Sequence, residues 1–279
     1  MYNLIDGREM AKQTRIEIKK EIEKLGGIPK LVVVLVGDDP ASHVYVRNKE
    51  KFAARVDMAS EVIRLPKETS ESDLLDLVKK LNNDDSVNGI LVQFPVPKHI
   101  SQEKIMNTIS PEKDVDGLNQ ISIGKLVAGV DGLTPCTPTG VIKMIKSTGI
   151  EISGKNAVVI GRSLLVGKPV AMMLLQENAT VTICHSRTKD LAAEIGRADI
   201  VVAAVGVANL VTGDMIKEGA VVIDVGMNTV DEKLVGDVEF ESACKKASYI
   251  TPVPGGVGPM TIAMLLQNTL TAYKNQHNI

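Results

Sequence analysis

Aromatic side chains are scarce in this sequence: three Phe, four Tyr and no Trp among 279 residues. Its cores must therefore be filled by Val, Ile, Leu, Ala and Met. Cysteine is scarce too. Cys136, Cys184 and Cys244 form an odd, scattered set, which excludes a disulfide framework and lacks the paired spacing of a zinc site. His43, His99, His185 and His277 are equally dispersed, so no metal is expected. No apolar run approaches the roughly 20 residues that span a bilayer, so no membrane partner is expected. The opening Met-Tyr-Asn-Leu-Ile-Asp-Gly-Arg-Glu-Met has no basic region leading into an apolar stretch. No secretory signal is read there, and a reducing cytoplasm is the expected compartment. A net charge of −2 shows none of the basic excess of a nucleic-acid binder.

What is present is alternation. Asp6–Leu25 predicts an amphipathic helix, with Ala11, Thr14, Ile18, Ile22 and Leu25 on one stripe and Gly26-Gly27 as its stop. Leu31–Val36 is a continuous β-branched run, as a strand buried on both faces requires. A helix opening at Pro40-Ala41-Ser42 follows, then a strand over Ala59–Leu65, a helix over Ser70–Leu81 and a strand over Gly89–Gln93. Asp114–Thr139 is rich in Gly, Pro and Asp, with little periodicity, and reads as a boundary carrying functional loops. The alternation then restarts. Strands are predicted at Ala157–Ile160, Thr180–Cys184, Ile200–Ala204 and Ala220–Val225. Helices are predicted at Pro169–Gln176, Leu191–Ile195 and Pro259–Tyr273. The expected fold is α/β with two α/β lobes, the second a Rossmann-like parallel sheet with helices on both faces. The expected domains are residues 1–120, completed by a C-terminal helix over 264–279, and residues 121–263.

The second half has the layout of a dinucleotide site. Strand Ala157–Ile160 runs into Gly161-Arg162-Ser163-Leu164-Leu165-Val166-Gly167, and Lys168-Pro169 opens a helix. Gly161 suits a tight turn, Gly167 a close backbone approach to phosphate, and the helix N-terminus offers free N–H groups to a pyrophosphate. The pattern departs from G-x-G-x-x-G: Ser163 replaces the second Gly, and the last Gly comes one residue late. Strand Thr180–Cys184 ends in His185-Ser186-Arg187-Thr188, without the acid that would hold a free ribose 2′-OH. Ser186, Arg187 and Arg162 instead supply donors and positive charge for a 2′-phosphate, which favours NADP. Small residues at Ala204-Val205-Gly206 would let a flat ring or ribose lie against backbone.

The remaining motifs are distinctive in their order. Val36-Gly37-Asp38-Asp39-Pro40-Ala41-Ser42 leads to Tyr45 and Lys49, then come Gly89-Ile90-Leu91-Val92-Gln93-Phe94-Pro95-Val96-Pro97 and Pro111-Glu112-Lys113-Asp114-Val115-Asp116-Gly117. Pro135-Cys136-Thr137-Pro138-Thr139-Gly140 and Thr251-Pro252-Val253-Pro254-Gly255-Gly256-Val257-Gly258-Pro259-Met260-Thr261 complete the set. With Gly161-Arg162-Ser163 and Cys184-His185-Ser186, they resemble the bifunctional methylenetetrahydrofolate dehydrogenase/methenyltetrahydrofolate cyclohydrolase family over nearly the whole chain.

The resemblance implies a folate-binding catalytic domain, an NADP-binding domain and a homodimer. It implies oxidation of 5,10-methylenetetrahydrofolate with NADP and hydrolysis of the methenyl product to 10-formyltetrahydrofolate, in one-carbon metabolism that feeds purine biosynthesis. Lys49 matches the family's catalytic lysine; Tyr45, four residues earlier on the same helix face, would stack on the folate ring. Gln93 would fix Lys49, and Asp116 would accept hydrogen bonds from the pterin. Gly255, Gly256 and Pro259 would lie near the folate. His185, Thr188 and Gly226 would join Gly161, Arg162, Ser163, Gly167, Ser186, Arg187, Ala204, Val205 and Gly206 around the cofactor. Cys136 reads as packing, since no base accompanies it.

One position departs from the family pattern. The helix bearing Lys49 usually ends in Gly before the next strand, and here Asp57 stands there. If the position needs positive φ, Asp adopts it less readily. A carboxylate near Lys49 would also raise the lysine pKa, leaving the dehydrogenase activity more secure than the cyclohydrolase. On the residues alone two other readings stay open. One is a two-domain NADP oxidoreductase of the shikimate dehydrogenase type, and the other a dinucleotide sensor without turnover.

Overall fold

The structure is a computed structural model, and it describes residues 2–279. In chain order it opens with β1 (Asn3–Leu4), α1 (Gly7–Leu25), β2 (Lys30–Val36), α2 (Pro40–Arg55) and β3 (Ala59–Leu65). There follow α3 (Glu71–Asn82), β4 (Gly89–Val92), α4 (Gln102–Thr108), α5 (Gln120–Ala128) and α6 (Cys136–Ser147). The second half holds β5 (Asn156–Ile160), α7 (Gly167–Gln176), β6 (Thr180–Cys184), α8 (Leu191–Gly196) and β7 (Ile200–Ala203). After a single 3-10 turn come β8 (Val221–Asp224), β9 (Asn228–Val230), β10 (Lys233–Val235), α9 (Phe240–Ala243), β11 (Tyr249–Ile250) and α10 (Val257–His277).

The chain packs as two units. One comprises Lys12–Cys136 and Ile262–Ile279. Its sheet is parallel, in the order β3-β2-β4. The central β2 is buried along six of its seven residues, as its unbroken β-branched run requires. Val32, Val34 and Val36 pack with Ile90 and Val92 of β4 and with Leu74 and Val78 of α3. Helix α2 is started by Asp39, whose carboxylate accepts from the Ser42 amide at 2.8 Å and the Ser42 hydroxyl at 2.7 Å.

The other unit comprises the segment up to Ala11 and Thr137–Thr261. Its sheet has six strands in the order β1-β11-β8-β7-β5-β6, every pair parallel, with helices flanking it. The first eleven residues thus belong with the second half of the chain, unlike in the linear division at 120/121, because β1 pairs with β11 at the sheet's edge. Two residues cannot announce a strand by periodicity.

Other elements escape the sequence pattern as well, among them α4, α5, α6 and the β9–β10 hairpin. The predicted boundary loop contains α5, capped by Asn119, which accepts from the Ile121 amide at 2.7 Å, and closed by left-handed Gly129. Only Ser122 and Leu126 of α5 are buried, while Ile121 and Val127 face outward, so no apolar stripe shows. Helix α4 buries Ile105 alone. The β9–β10 hairpin turns on Asp231 and Glu232, with φ of 47° and 62°. That conformation normally calls for Asn or Gly, so the sequence carries no turn signal there.

Leu74 is fully buried on α3. Leu74→Ala is expected to lower the unfolding free energy by about 2–5 kcal/mol, read from a urea titration of the two proteins.

Candidate active site

In the unit of Lys12–Cys136, strands β2 and β4 are parallel neighbours, so the segments that leave them emerge at the same end of the sheet. Helix α2 follows β2 and carries Tyr45 and Lys49; Gln93 follows β4 directly. The Lys49 Nζ donates to Gln93 Oε1 at 2.8 Å, and Gln93 Nε2 donates to the Phe94 carbonyl at 2.7 Å. The second bond orients the amide so that its oxygen faces the lysine. Tyr45, one turn before Lys49, keeps 37% of its surface exposed, and partial burial raises its phenol pKa. Lys49 retains some open surface, yet the protein around it is dense enough that desolvation lowers its pKa. The charge of Asp116, and then that of Cys136, act in the opposite direction and do not cancel that effect.

Asp116 reaches this cluster through a backbone device. Gly117 has φ of 70°, and a Cβ there would lie 2.4 Å from the Thr134 carbonyl carbon and 2.5 Å from the Pro135 nitrogen. The Thr134–Pro135 chain therefore crosses directly over Gly117, and Cys136 comes alongside Asp116. Asn268 of α10 locks the crossing: its amide donates to the Val115 carbonyl at 2.9 Å and the Thr134 carbonyl at 2.8 Å. Burial raises the pKa of both Asp116 and Cys136, the thiol well above its ordinary value. Lys49 and the Cys136 hydrogen bond pull Asp116 the other way. Cys136 is thus packed, as its surroundings suggested, against the carboxylate of Asp116. Asn268 carried no sequence signal, being one of several polar residues in α10.

Asp57 does adopt positive φ, at 58°. The concern about Lys49 is overturned. Asp57 pairs instead with Lys19 at 2.8 Å, near the surface, and is not among the charges acting on Lys49. The lysine pKa moves down, not up.

The second unit holds every residue expected to meet the dinucleotide, and also Gly255, Gly256 and Pro259. Strand β5 runs into Gly161, with φ of 121°, where a Cβ would sit 2.2 Å from the Ala204 carbonyl oxygen. A Cβ on Gly167 would meet the Gly161 carbonyl oxygen at 2.2 Å. Gly167 is therefore required by the turn's own backbone, whatever ligand approaches it. The Ser163 hydroxyl braces the turn before α7, accepting from the Val166 amide at 3.1 Å and the Gly167 amide at 3.4 Å.

Beside this turn, β6 ends in a closed loop. The His185 amide donates to Thr188 Oγ1 at 2.9 Å, and the Arg187 amide to His185 Nδ1 at 3.1 Å. Thr188 and His185 thus spend polar atoms on the loop, while Ser186, Arg187 and Arg162 are exposed. The first acid beyond, Asp190, caps α8 through the Ala193 amide at 2.9 Å. The donor set fits a 2′-phosphorylated dinucleotide: two guanidinium groups and a hydroxyl, with no carboxylate in the loop. Near the start of α10, Gly255 has φ of 109° with the Arg8 side chain over it, and a Cβ on Gly256 would lie 2.6 Å from the Pro252 carbonyl oxygen.

The family model for the tetrahydrofolate dehydrogenase/cyclohydrolase catalytic domain matches residues 5–116, and that for the NAD(P)-binding domain of the same family matches residues 135–277. The chain belongs to the tetrahydrofolate dehydrogenase/cyclohydrolase family. Within that family, the bifunctional protein FolD of Moorella thermoacetica is 59% identical over 273 residues, 96% of this chain and 98% of the relative. The Campylobacter jejuni bifunctional FolD structure aligns with a TM-score of 0.96 at 47% identity, covering 99% of each chain. The Trypanosoma brucei methylenetetrahydrofolate dehydrogenase-cyclohydrolase, solved with NADP and an inhibitor, aligns with a TM-score of 0.94 at 40% identity, covering 100% of this chain and 99% of that one. Shikimate dehydrogenase from Aquifex aeolicus aligns over 90% of this chain and 93% of its own at 18% identity and a TM-score of 0.52, which is likeness of fold alone.

Two measurements check this electrostatic picture. Because Asp57 is engaged by Lys19 at an exposed position, Asp57→Gly is expected to change methenyltetrahydrofolate hydrolysis by less than about two-fold; a larger gain would show Asp57 acting on Lys49. Burial pushes the Asp224 carboxyl of β8 up to about 6 from its ordinary 3.8. Between those values the folded state binds more protons than the unfolded one. Asp224 therefore stabilises the fold below the window and loses that contribution as pH rises through it, at no more than about 1.4 kcal/mol per pH unit. Its carboxyl carbon is expected to titrate in NMR with a midpoint near 6; a midpoint near the ordinary value would reverse the assignment.

Proposed function

We propose that this chain oxidises 5,10-methylenetetrahydrofolate to the 5,10-methenyl form with NADP and hydrolyses that product to 10-formyltetrahydrofolate. The observation that carries the reading is Lys49. It is an amine with a lowered pKa, aimed by Gln93 and faced by Asp116, in a chain whose two halves both match this family.

NADP supplies an acceptor for the two electrons and hydrogen lost from the methylene carbon. The chain's part in that step is positioning. The turn Gly161-Arg162-Ser163, with Gly167, would receive the pyrophosphate, and Ser186, Arg187 and Arg162 would hold the 2′-phosphate. His185, Thr188, Ala204, Val205, Gly206 and Gly226 would line the rest of the dinucleotide site. Tyr45 would stack on the folate ring system, and Asp116 would accept from the pterin N–H groups. Gly255, Gly256 and Pro259 would border the folate. In the hydrolysis, water adds its oxygen to the methenyl carbon, one carbon–nitrogen bond breaks, and one proton is released overall. Lys49 in its neutral form would take the proton from the water and return one to the departing nitrogen. Desolvation favours that form, since it lowers the pKa at which the amine can accept a proton. Gln93 would keep the amine in place.

The same reading makes the unit of Lys12–Cys136 and Ile262–Ile279 the folate-binding domain and the unit that includes Thr137–Thr261 the NADP-binding domain. It places the protein in the cytoplasm as a homodimer, with no nucleic-acid partner, supplying formyl groups to purine assembly. Among the described residues no helix is long and apolar enough to cross a membrane.

The test is an assay of purified protein with 5,10-methylenetetrahydrofolate, following dinucleotide reduction and then the decay of methenyl absorbance. Both signals are expected with NADP. Lys49→Met should lower the decay rate by about a hundred-fold or more, the size of a lost acid–base catalyst. Reduction with a hydroxy acid in place of the folate, or full methenyl hydrolysis by Lys49→Met, would overturn the assignment.

A further inference from the structure

Two buried carboxylates lie at the carboxyl ends of β7 and β8, and no part of the proposed chemistry uses them. Asp237 is fully buried. Its Oδ2 accepts from the Val205 amide at 2.7 Å and the Gly206 amide at 3.0 Å. Its Oδ1 accepts from the Val207 amide at 2.9 Å and from Asn228 Nδ2 at 3.0 Å. Asp224 in turn accepts from the amides of Gly226, Asp237 and Val238, each at 2.9 Å. Among the described residues neither carboxylate has a cationic partner; N–H groups alone carry both charges. Donors to an ionised group are stronger than neutral pairs, so this knot fixes backbone that would otherwise be free loop.

The glycines around it are shaped by the knot. A Cβ on Gly226 would lie 2.2 Å from Asp237 Oδ1, and one on Gly236 would lie 1.7 Å from Asp224 Oδ2. Gly226, expected from the sequence as a cofactor contact, is thus already explained by Asp237. The loop that Asp237 grips begins at Ala204, the residue whose carbonyl oxygen excludes any side chain from Gly161. A shift of the Val205–Val207 backbone would press directly on the dinucleotide turn. Open parallel sheets bind their ligands at these same carboxyl ends.

We infer that Asp237 is a positioning residue for the dinucleotide: it holds the Val205–Val207 loop and Asn228 in the shape that receives the cofactor, and Asp224 holds Asp237. The inference rests on the proposed use of NADP. It does not make Asp237 a contact of the cofactor. The loop backbone makes the contact, and the carboxylate sets where that backbone lies.

The test variant is Asp237→Asn, which keeps the shape but turns one acceptor oxygen into a donor facing N–H groups. NADP affinity by calorimetry is expected to fall about ten-fold, the loss of one or two hydrogen bonds to a charged group. Amide exchange at Val205–Val207 should quicken by a similar factor, and the KM for NADP should rise with kcat retained. The KM for the folate and the rate of methenyl hydrolysis should stay within about two-fold, because Lys49 belongs to the other unit. Unchanged NADP affinity with quickened loop exchange would overturn the inference, as would equal losses in both activities. Should Asp237→Asn fail to fold, Asn228→Ala removes a single donor and should weaken NADP binding about two- to three-fold; no change would overturn the inference equally. Wild-type protein that binds no NADP would sink the cofactor assignment and this inference with it. Wild-type binding matched by Asp237→Asn sinks the positioning role alone.

Discussion

The removal of water from Lys49 is the constraint on which the unit around it depends. An ammonium in dense protein is costly unless charge and hydrogen bonds meet it, and the protein meets it only in part. Asp116 supplies opposite charge and Gln93 supplies one oxygen, yet the lysine pKa still moves down. A closer carboxylate would hold the proton more firmly and leave a poor base. The partial compensation explains the rest of the local construction. Gly117 lets the Thr134–Pro135 backbone pass, Cys136 covers Asp116 with a small, weakly polar side chain, and Asn268 ties the crossing shut.

The second unit solves a related problem by other means. Its loops at the carboxyl ends of the strands are shaped by backbone approach and by buried carboxylates. Glycine at 161 and 167 allows the backbone of the β5–α7 turn to close on itself and on Ala204. Asp237 and Asp224 then anchor the adjacent loops by accepting amide hydrogens. Both devices place backbone, whose free N–H groups suit a phosphate.

The sequence made some of this visible and hid the rest for identifiable reasons. The β-branched run of β2, the Pro40 start of α2 and the four-residue spacing of Tyr45 and Lys49 are local signals, and all appear in the structure as read. The turn at Gly161 was legible because strand, glycine and helix follow one another in the chain. Helix α5 was not legible, because its apolar residues face outward as often as inward. Asn268, Asp224 and Asp237 act on residues far away in sequence, and no periodicity reports a single buried polar side chain. A faint signal did exist. Gly236 directly precedes Asp237, and Gly226 follows Asp224 by two, a pairing of acid and glycine that fits close backbone approach to a carboxylate.

The bonds from Asn268 to the Val115 and Thr134 carbonyls join the last helix to a strap at Thr134, 134 residues earlier. During synthesis the segment bearing Lys49, Gln93 and Asp116 leaves the ribosome long before α10 exists. Its sheet can pair, but the Thr134–Pro135 strap has nothing to fasten it. The crossing beside Lys49 and Asp116 is therefore tied only when the final helix docks, so a nascent or C-terminally nicked chain would hold these side chains without that fastening.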